Sequence, residues 1–246
     1  MKISSAESAE IFDRIVSDRR SVRIYDNNSG FEEDAVQRSL ERAVLSPNSS
    51  NLQLWEFYRV RSKDKLKALA HYCLDQKAAS TAKELIVVVT RKDKWRSRSK
   101  YILNKARERF PAEIGRKEKL IIRYYDRIIP FLYTSDPLDV WGGIKKLLTG
   151  ATGLFRPIAR EVSANDMRIV VHKSAALASQ TFMLSMKAEG YDTCPMEGFD
   201  SVRVKKLLNL PRGAEVNMII GVGKATPAGI YGPRVRVPNE VVIFEI

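Results

Sequence analysis

Hydrophobic positions in the first ninety residues follow helical and strand spacings in turn. A first helix is predicted from apolar residues that would share one of its faces: Ile11, Phe12, Ile15 and Val16. Ser4 and Glu7 have the spacing of a capping box, which would open this helix. A second helix is expected to end before Pro47, and a strand (WEFYRV, residues 55–60) and a third helix (residues 65–74) follow.

Later apolar segments indicate buried strands beside one long helix. Residues 84–90 (ELIVVVT) are a continuous run rich in β-branched side chains, which is typical of a buried strand. A long helix rich in small residues is predicted from 164 to 189, with Gly190 ending it. The other expected elements are strands at YDTC, EVNMIIGVG and EVVIFEI, and a short helix at SVRVKKLL. Helices and strands without βαβα alternation favour an α+β fold over a doubly wound sheet.

The middle of the chain differs from both ends. Residues from about 95 to 160 are interpreted as an insertion within a single domain spanning 1–246, helical as far as Tyr133 and irregular afterwards. The net charge of the chain is +13, and residues 91–127 hold 14 Lys/Arg against 5 Asp/Glu, a net +9. Such a stretch would suit a nucleic acid or an anionic membrane. A solvated helix face is preferred, because the stretch has no recognisable nucleic-acid motif.

Composition excludes several classes of protein. No apolar run is long enough to span a membrane, and the N-terminus lacks the apolar core of a signal peptide. Two unrelated cysteines predict reduced thiols and a cytoplasmic protein. Two histidines without ligand spacing predict no metal site, and the pattern identifies no catalytic acid or base.

Three polar segments are candidates for binding an anion. Residues 19–26 (RRSVRIYD) place three arginines within five positions, and residues 46–55 (SPNSSNLQLW) are dense in hydrogen-bonding side chains. In an extended segment, Arg234 and Arg236 would point the same way. Because arginine forks match phosphate oxygens, the segments together would clamp a phosphate and a polar chain, although each alone is typical of a protein surface.

These segments occur in the order seen in a known family. With residues 194–199 (CPMEGF) and Leu210-Pro211 before the MIIGVG strand, they resemble the FMN-dependent nitroreductase family over about residues 10–90 and 164–242. Two positions depart from the family pattern: Asn48 replaces a serine, and Leu54 replaces the proline before Trp55.

The resemblance implies a nitroreductase-like fold, with a central, mostly antiparallel sheet flanked by helices, and an obligate homodimer with FMN at the subunit interface. The flavin phosphate and ribityl chain would be held by Arg19, Arg20, Ser21, Arg23, Arg234 and Arg236. The loop that covers the flavin from the partner subunit would contain Pro47, Asn48, Ser49 and Asn51. The turn beside the isoalloxazine would contain Pro195, Met196, Glu197 and Gly198, and Gln76 would reach the pyrimidine end of the ring.

The expected activity is ping-pong transfer of hydride from NAD(P)H through FMN to an electron-poor acceptor such as a nitro compound or a quinone. The alternatives are a flavin-dependent dehydrogenase or reductase of one metabolite, and a basic protein that binds nucleic acid or acidic lipid without redox activity. A nucleic-acid partner is not expected. The long helix and the apolar C-terminal tail are expected to pack on a second copy of the chain. Residues from about 101 to 160 are expected to form part of the pocket wall or a lid that favours anionic partners such as NADPH or an acidic acceptor.

Overall fold

The computed structural model describes residues 4–246 and centres on one four-stranded sheet. Its strands are β1 (Trp55–Val60), β2 (Glu84–Thr90), β3 (Asp192–Met196) and β4 (Glu215–Gly223). Their spatial order is β1-β2-β4-β3, and every neighbouring pair is antiparallel. The structure therefore confirms the α+β class and the antiparallel sheet.

Helices cover both faces of the sheet. They are α1 (Ser5–Asp18), α2 (Glu33–Ala43), α3 (Lys63–Tyr72), α4 (Lys77–Ser80), α5 (Trp95–Arg107), α6 (Arg116–Arg123), α7 (Ile129–Tyr133), α8 (Val140–Thr152), α9 (Ala164–Ala188) and α10 (Ser201–Leu207). A π-helical turn, Tyr124–Ile128, joins α6 to α7, and 3₁₀ turns lie at Ser49–Asn51, Lys92–Lys94 and Asn239–Val241.

Strand β2 is central because its side chains are apolar on both faces. Ile86 and Val88 pack with residues of α2 and α9, whereas Leu85, Val87 and Val89 pack with residues of α3, α4 and α10. Alternation of side chains along a strand divides one apolar run between two cores. All seven residues of β2 are buried, as the run of β-branched residues predicted.

The small residues of α9 serve packing within the chain. Ala175, Ala178 and Phe182 are fully buried in the core that α9 shares with α2 and the sheet. The Ser185 hydroxyl donates to the hydroxyl of Ser39 on α2, at 3.1 Å. Close helix packing is confirmed, and it uses the small-residue face that was expected to contact a second copy.

Two sequence expectations about regular structure are wrong. Helix α8 stands where irregular chain was expected after Tyr133, because Asp136 accepts hydrogen bonds from the N–H groups of Val140 and Trp141 and so opens the helix. The expected C-terminal strand is absent from the described residues, since 242–246 have no regular structure and pair with no strand of the chain. Within residues 4–246, no helix has the length and apolar character needed to cross a bilayer.

Candidate functional site

The backbone brings the two arginine segments together beside the edge of the sheet. Ser21 forms a parallel bridge with Thr193 of β3, and the N–H of Val22 donates to the Thr193 carbonyl at 3.1 Å. The N–H of Arg23 donates to the carbonyl of Gly229 at 2.7 Å, which fixes the chain that leads to residue 236. Segments about two hundred residues apart are thereby held side by side.

Tyr25 anchors the first segment on β4. Its hydroxyl donates to the Gly221 carbonyl at 2.8 Å, and burial raises its pKa well above the ordinary value. A Cβ at Gly223 would lie only 2.8 Å from the Tyr25 ring, so the glycine leaves the space that the ring fills. The arginine-rich segment is therefore seated on the sheet, although its charged side chains point away from the core.

A cavity of about 320 Å³ opens between the two segments. It is lined by Arg19, Arg20, Ser21, Arg23, Ile230, Tyr231, Pro233, Arg234, Val235 and Arg236. Arg234 donates to the carbonyls of Ser17 and Arg19, at 2.7 Å each. Arg20 donates to the carbonyl of Gly232 at 2.9 Å. The structure thus brings together all six residues predicted to hold the phosphate and ribityl chain, and these bonds hold the two walls in place. We call this the arginine cavity.

The arginine cavity carries uncompensated positive charge. Within residues 4–246, none of its five arginines forms an ion pair with a carboxylate. Burial lowers the pKa of Arg19, and the neighbouring arginines, Arg234 first, lower it further. Clustered guanidinium groups without a counter-ion form a site suited to a polyvalent anion.

The turn after β3 presents backbone donors. Met196 is the last residue of the strand, and the N–H groups of Glu197 and Gly198 donate no hydrogen bond within residues 4–246. Gln76 donates to the carbonyl of Gly198 at 2.8 Å, so its amide holds this turn against the start of α4. Burial raises the pKa of Cys194, just before Pro195, so this thiol is a packing residue rather than a nucleophile.

The loop at residues 46–53 has a strained backbone. Ser50, Asn51 and Gln53 have φ values of 55°, 52° and 49°. The Asn48 side chain stabilises this path by accepting from the N–H of Gln53 at 2.8 Å, so the departure from the family's serine has a structural use here. Strain of this kind persists where the surroundings fix the backbone, which is common at functional sites.

The insertion and α9 hold this loop from outside. The N–H of Ser49 donates to the Ser174 hydroxyl at 3.3 Å. Tyr125 donates to the Ser50 carbonyl at 3.0 Å, and the hydroxyls of Tyr124 and Ser50 lie 2.7 Å apart. Sequence reasoning missed these tyrosines, and their only signal was an adjacent aromatic pair in a basic helical stretch. None of Pro47, Asn48, Ser49 or Asn51 lines the arginine cavity of its own chain.

Comparison with known proteins shows the family to which the chain belongs. Residues 16–224 match the Nitroreductase family. The oxygen-insensitive NADPH nitroreductase of Helicobacter acinonychis is 31% identical over 213 residues, which cover 86% of each chain. A nitroreductase-like protein from Streptococcus mutans has a TM-score of 0.71 at 20% identity, covering 97% of this chain and 99% of its own.

A protein of Exiguobacterium sibiricum, assigned as a nitroreductase and solved in complex with FMN, has a TM-score of 0.65 at 24% identity. It covers 95% of this chain, and this chain covers 97% of it. The chain therefore belongs to the Nitroreductase family, whose members are NAD(P)H-dependent FMN oxidoreductases.

Proposed function

We propose that this protein is an FMN-dependent oxidoreductase that passes electrons from NAD(P)H to an electron-poor small molecule, such as a nitro compound or a quinone. The observation that carries the proposal is the arginine cavity of about 320 Å³, whose five arginines have no carboxylate partner among residues 4–246. A flavin phosphate supplies the anion that this charge requires. When bound, FMN would supply the redox chemistry, in one half-reaction with the nicotinamide donor and a second with the acceptor.

The residues of this chain bind and orient the cofactor in this proposal. Arg20, Arg23 and Arg236 would bind the phosphate, while Arg234 keeps the two walls of the cavity together through its bonds to Ser17 and Arg19. Ser21 lines the same cavity and would meet the ribityl chain. These charges and donors would also favour the more negative, reduced cofactor over the oxidised one.

The turn after β3 would meet the flavin ring. The N–H groups of Glu197 and Gly198, which have no acceptor among residues 4–246, support a donor role at the N5 position of the ring, and Pro195 and Met196 would position them. The family resemblance implies that Gln76 would contact the pyrimidine end of the ring. Its amide also donates to the Gly198 carbonyl and so orients the turn.

A second copy of the chain completes the proposed site. The loop of Pro47, Asn48, Ser49 and Asn51 does not line its own arginine cavity, which supports its use in the site of the partner. Helix α1 has no buried residue, and Ile11, Phe12 and Val16 on its apolar face are exposed. The apolar C-terminal tail is exposed as well, so α1 and the tail are the surfaces we assign to the homodimer. Light scattering of the flavin-loaded protein would contradict this if it gave the mass of a monomer.

The insertion contributes a wall of the substrate pocket in this proposal. A cavity of about 490 Å³ lies between α5 and the chain from Tyr125 to Thr134. Arg96, Lys100 and Arg107 line it, and the Tyr125 hydroxyl connects it to Ser50 in the loop. Its charge would favour anionic partners such as NADPH or an acidic acceptor.

Absorbance of the purified protein tests the function directly. A flavoenzyme should show bands near about 370 and 450 nm, which NADPH or NADH should bleach in stopped-flow mixing and an acceptor should restore. Comparison of the two donors identifies the physiological one. A colourless protein that takes up no added FMN, and binds polyanions in a salt-sensitive way, would instead establish a basic binding protein without redox activity.

A further inference from the structure

Helix α8 is inverted, with polar side chains buried and apolar side chains in solvent. Its buried residues are Gly142, Lys145 and Thr149. The large exposed apolar residues of the helix are Val140, Trp141, Ile144, Leu147 and Leu148. A surface helix of a globular protein ordinarily has the opposite arrangement. The outward face of α8 is therefore suited to contact with an apolar surface.

Specific bonds hold the helix in this orientation. The buried ammonium of Lys145 donates to the carbonyls of Leu132 and Thr134, at 2.9 and 3.1 Å. These carbonyls lie in the last turn of α7 and just beyond it, where a cation is favoured. Rotation of α8 to bury its leucines would pull Lys145 away from both carbonyls.

The start of the helix is fixed as well. The Asp139 carboxylate accepts from the N–H of Ala164 at 2.9 Å, which ties α8 to the first turn of α9. A Cβ at position 142 would lie 2.2 Å from an Asp139 oxygen, so Gly142 is needed for this contact. The polar side of α8 is thus a built interface with the rest of the chain.

The apolar surface continues beyond the end of α8. The N–H groups of Leu154 and Phe155 donate to the carbonyls of Ala151 and Thr152, at 3.2 and 3.1 Å, so helical turns continue. Leu154 and Phe155, in these turns, add two large exposed apolar side chains directly after the helix. Leu147 is 75% exposed, and Phe155 is 90% exposed. We call this surface the α8 patch: Leu138, Val140, Trp141, Ile144, Leu147, Leu148, Leu154 and Phe155.

The charges around the α8 patch select its partner. Between residues 138 and 161, the exposed charged side chains are Lys146, which pairs with Asp166, and Arg156, Arg160 and Glu161, so three of the four are basic. A symmetric contact through this patch would bring Lys146, Arg156 and Arg160 close to the same cations of a second copy. A surface rich in phosphate would instead be attracted by them. Leucine, tryptophan and phenylalanine beside exposed bases are the composition of helices that lie in a membrane interface.

We propose that the α8 patch is a docking surface for an anionic lipid membrane. Leu147, Leu148 and Phe155 enter the boundary between headgroups and acyl chains, while Arg156 and Arg160 bind headgroup phosphates. Helix α8 lies in the plane of the interface and does not cross the bilayer. The proposal stands on the orientation and charge of α8 and does not depend on the flavin function.

Co-sedimentation of the full chain with vesicles tests this proposal. We expect binding to vesicles of equal parts phosphatidylcholine and phosphatidylglycerol, and weak binding to phosphatidylcholine alone. Leu147→Glu and Phe155→Glu should each reduce the partition coefficient about tenfold or more, because each removes a large apolar side chain from the interface. Arg156→Gln should reduce it only about fivefold, the contribution of one basic residue near an anionic surface.

The matched control is Val202→Glu. Val202 is 76% exposed in α10, outside the α8 patch, and the substitution adds the same negative charge. This variant should bind vesicles like the wild type. Thermal unfolding of all variants shows whether each remains folded.

Three outcomes would overturn the proposal. One is wild-type protein that sediments no better with anionic than with neutral vesicles. Another is Leu147→Glu and Phe155→Glu proteins that still bind like the wild type, since binding would then come from net charge alone. The third is a wild type that does not bind vesicles, together with a Leu147→Glu variant that has half the wild-type mass in light scattering. That result would make the patch an interface between copies.

Discussion

Strand β2 and helix α8 are both strongly apolar, yet one is wholly buried and the other turns its apolar side outward. In β2, neighbouring strands pair with both edges and helices cover both faces, so all seven residues are buried. In α8, bonds from Lys145 and Asp139 hold the polar side inward, and the leucines remain in solvent. Apolar composition alone therefore does not predict burial. The side of a segment that faces the core is decided by the positions of the partners of its polar groups.

The largest contrast between these regions is in stability. Ile86→Ala in β2 should cost about 2–5 kcal/mol in free energy of unfolding, because it removes a fully buried side chain and leaves a cavity. Leu147→Ala in α8 should stay within about 0.5 kcal/mol of the wild type. Urea denaturation measures both. Equal losses would mean that α8 is buried in the protein as it exists in solution.

The next effect concerns the arginine cavity. Arg236→Ala should weaken FMN binding about 10- to 150-fold, which corresponds to roughly 1.5–3 kcal/mol for a hydrogen bond to a charged group. Riboflavin, which lacks the phosphate, should bind wild type and variant almost alike. Titration of the apoprotein with each flavin, followed by fluorescence, gives the two affinities.

Two further variants sharpen this test of the cavity. Arg20→Ala should behave like Arg236→Ala, and the double variant should lose less than the sum, because both act on one anion. Arg116→Ala in the insertion is the control and should leave FMN affinity unchanged. If Arg236→Ala weakened both flavins equally, the cavity would not be a phosphate site.

A smaller effect is expected from the ion pairs between α2 and Glu189, which directly follows α9. Arg38 and Arg42 of α2 lower the pKa of Glu189 to about 2, and Glu189 is largely buried beside them. A depressed carboxyl pKa stabilises the fold above the ordinary value of 4.5, and this stabilisation is lost as pH falls toward 2. Glu189→Gln should remove about 1 kcal/mol at neutral pH, after allowance for the half-exposed arginines.

Stability measured across pH is the check on this ion pair. The difference between wild type and Glu189→Gln should shrink as the pH falls from 5 toward 2. Glu108→Gln, directly after α5, removes an exposed ion pair with Lys105 and should leave the acid dependence unchanged. A constant difference across the acid range would show that Glu189 acts through packing instead.

The smallest expected effect is electrostatic attraction by the insertion. Lys100→Glu, in the cavity beside Tyr125, should lower kcat/KM for NADPH a few-fold at low salt, and added salt should reduce the gap as screening grows. NADH carries less charge and should respond less. Steady-state kinetics over a salt series measures this. If salt barely changed kcat/KM for NADPH, the charge of the insertion would not contribute to donor binding.

The amino-acid sequence by itself predicted the four strands of the sheet and six of the residues that line the arginine cavity. Runs such as residues 84–90 predict strands because alternation and β-branching act locally. The capping boxes at Ser4 and Ser163 likewise depend on neighbours three residues apart. Arg20 and Arg234 could be grouped in advance because a shared anion explains otherwise unfavourable clusters of charge.

Only the tertiary structure decided the features that rest on distant partners. The role of Gln76 as a donor to Gly198, and the support of the loop by Tyr124 and Tyr125, join residues that no local spacing connects. The C-terminal apolar segment predicts a strand, yet a strand needs a free edge to pair with, and the tail pairs with no strand among residues 4–246. Helix α8 shows the same limit, because periodicity reveals an apolar face but the partners of Lys145 decide where that face points.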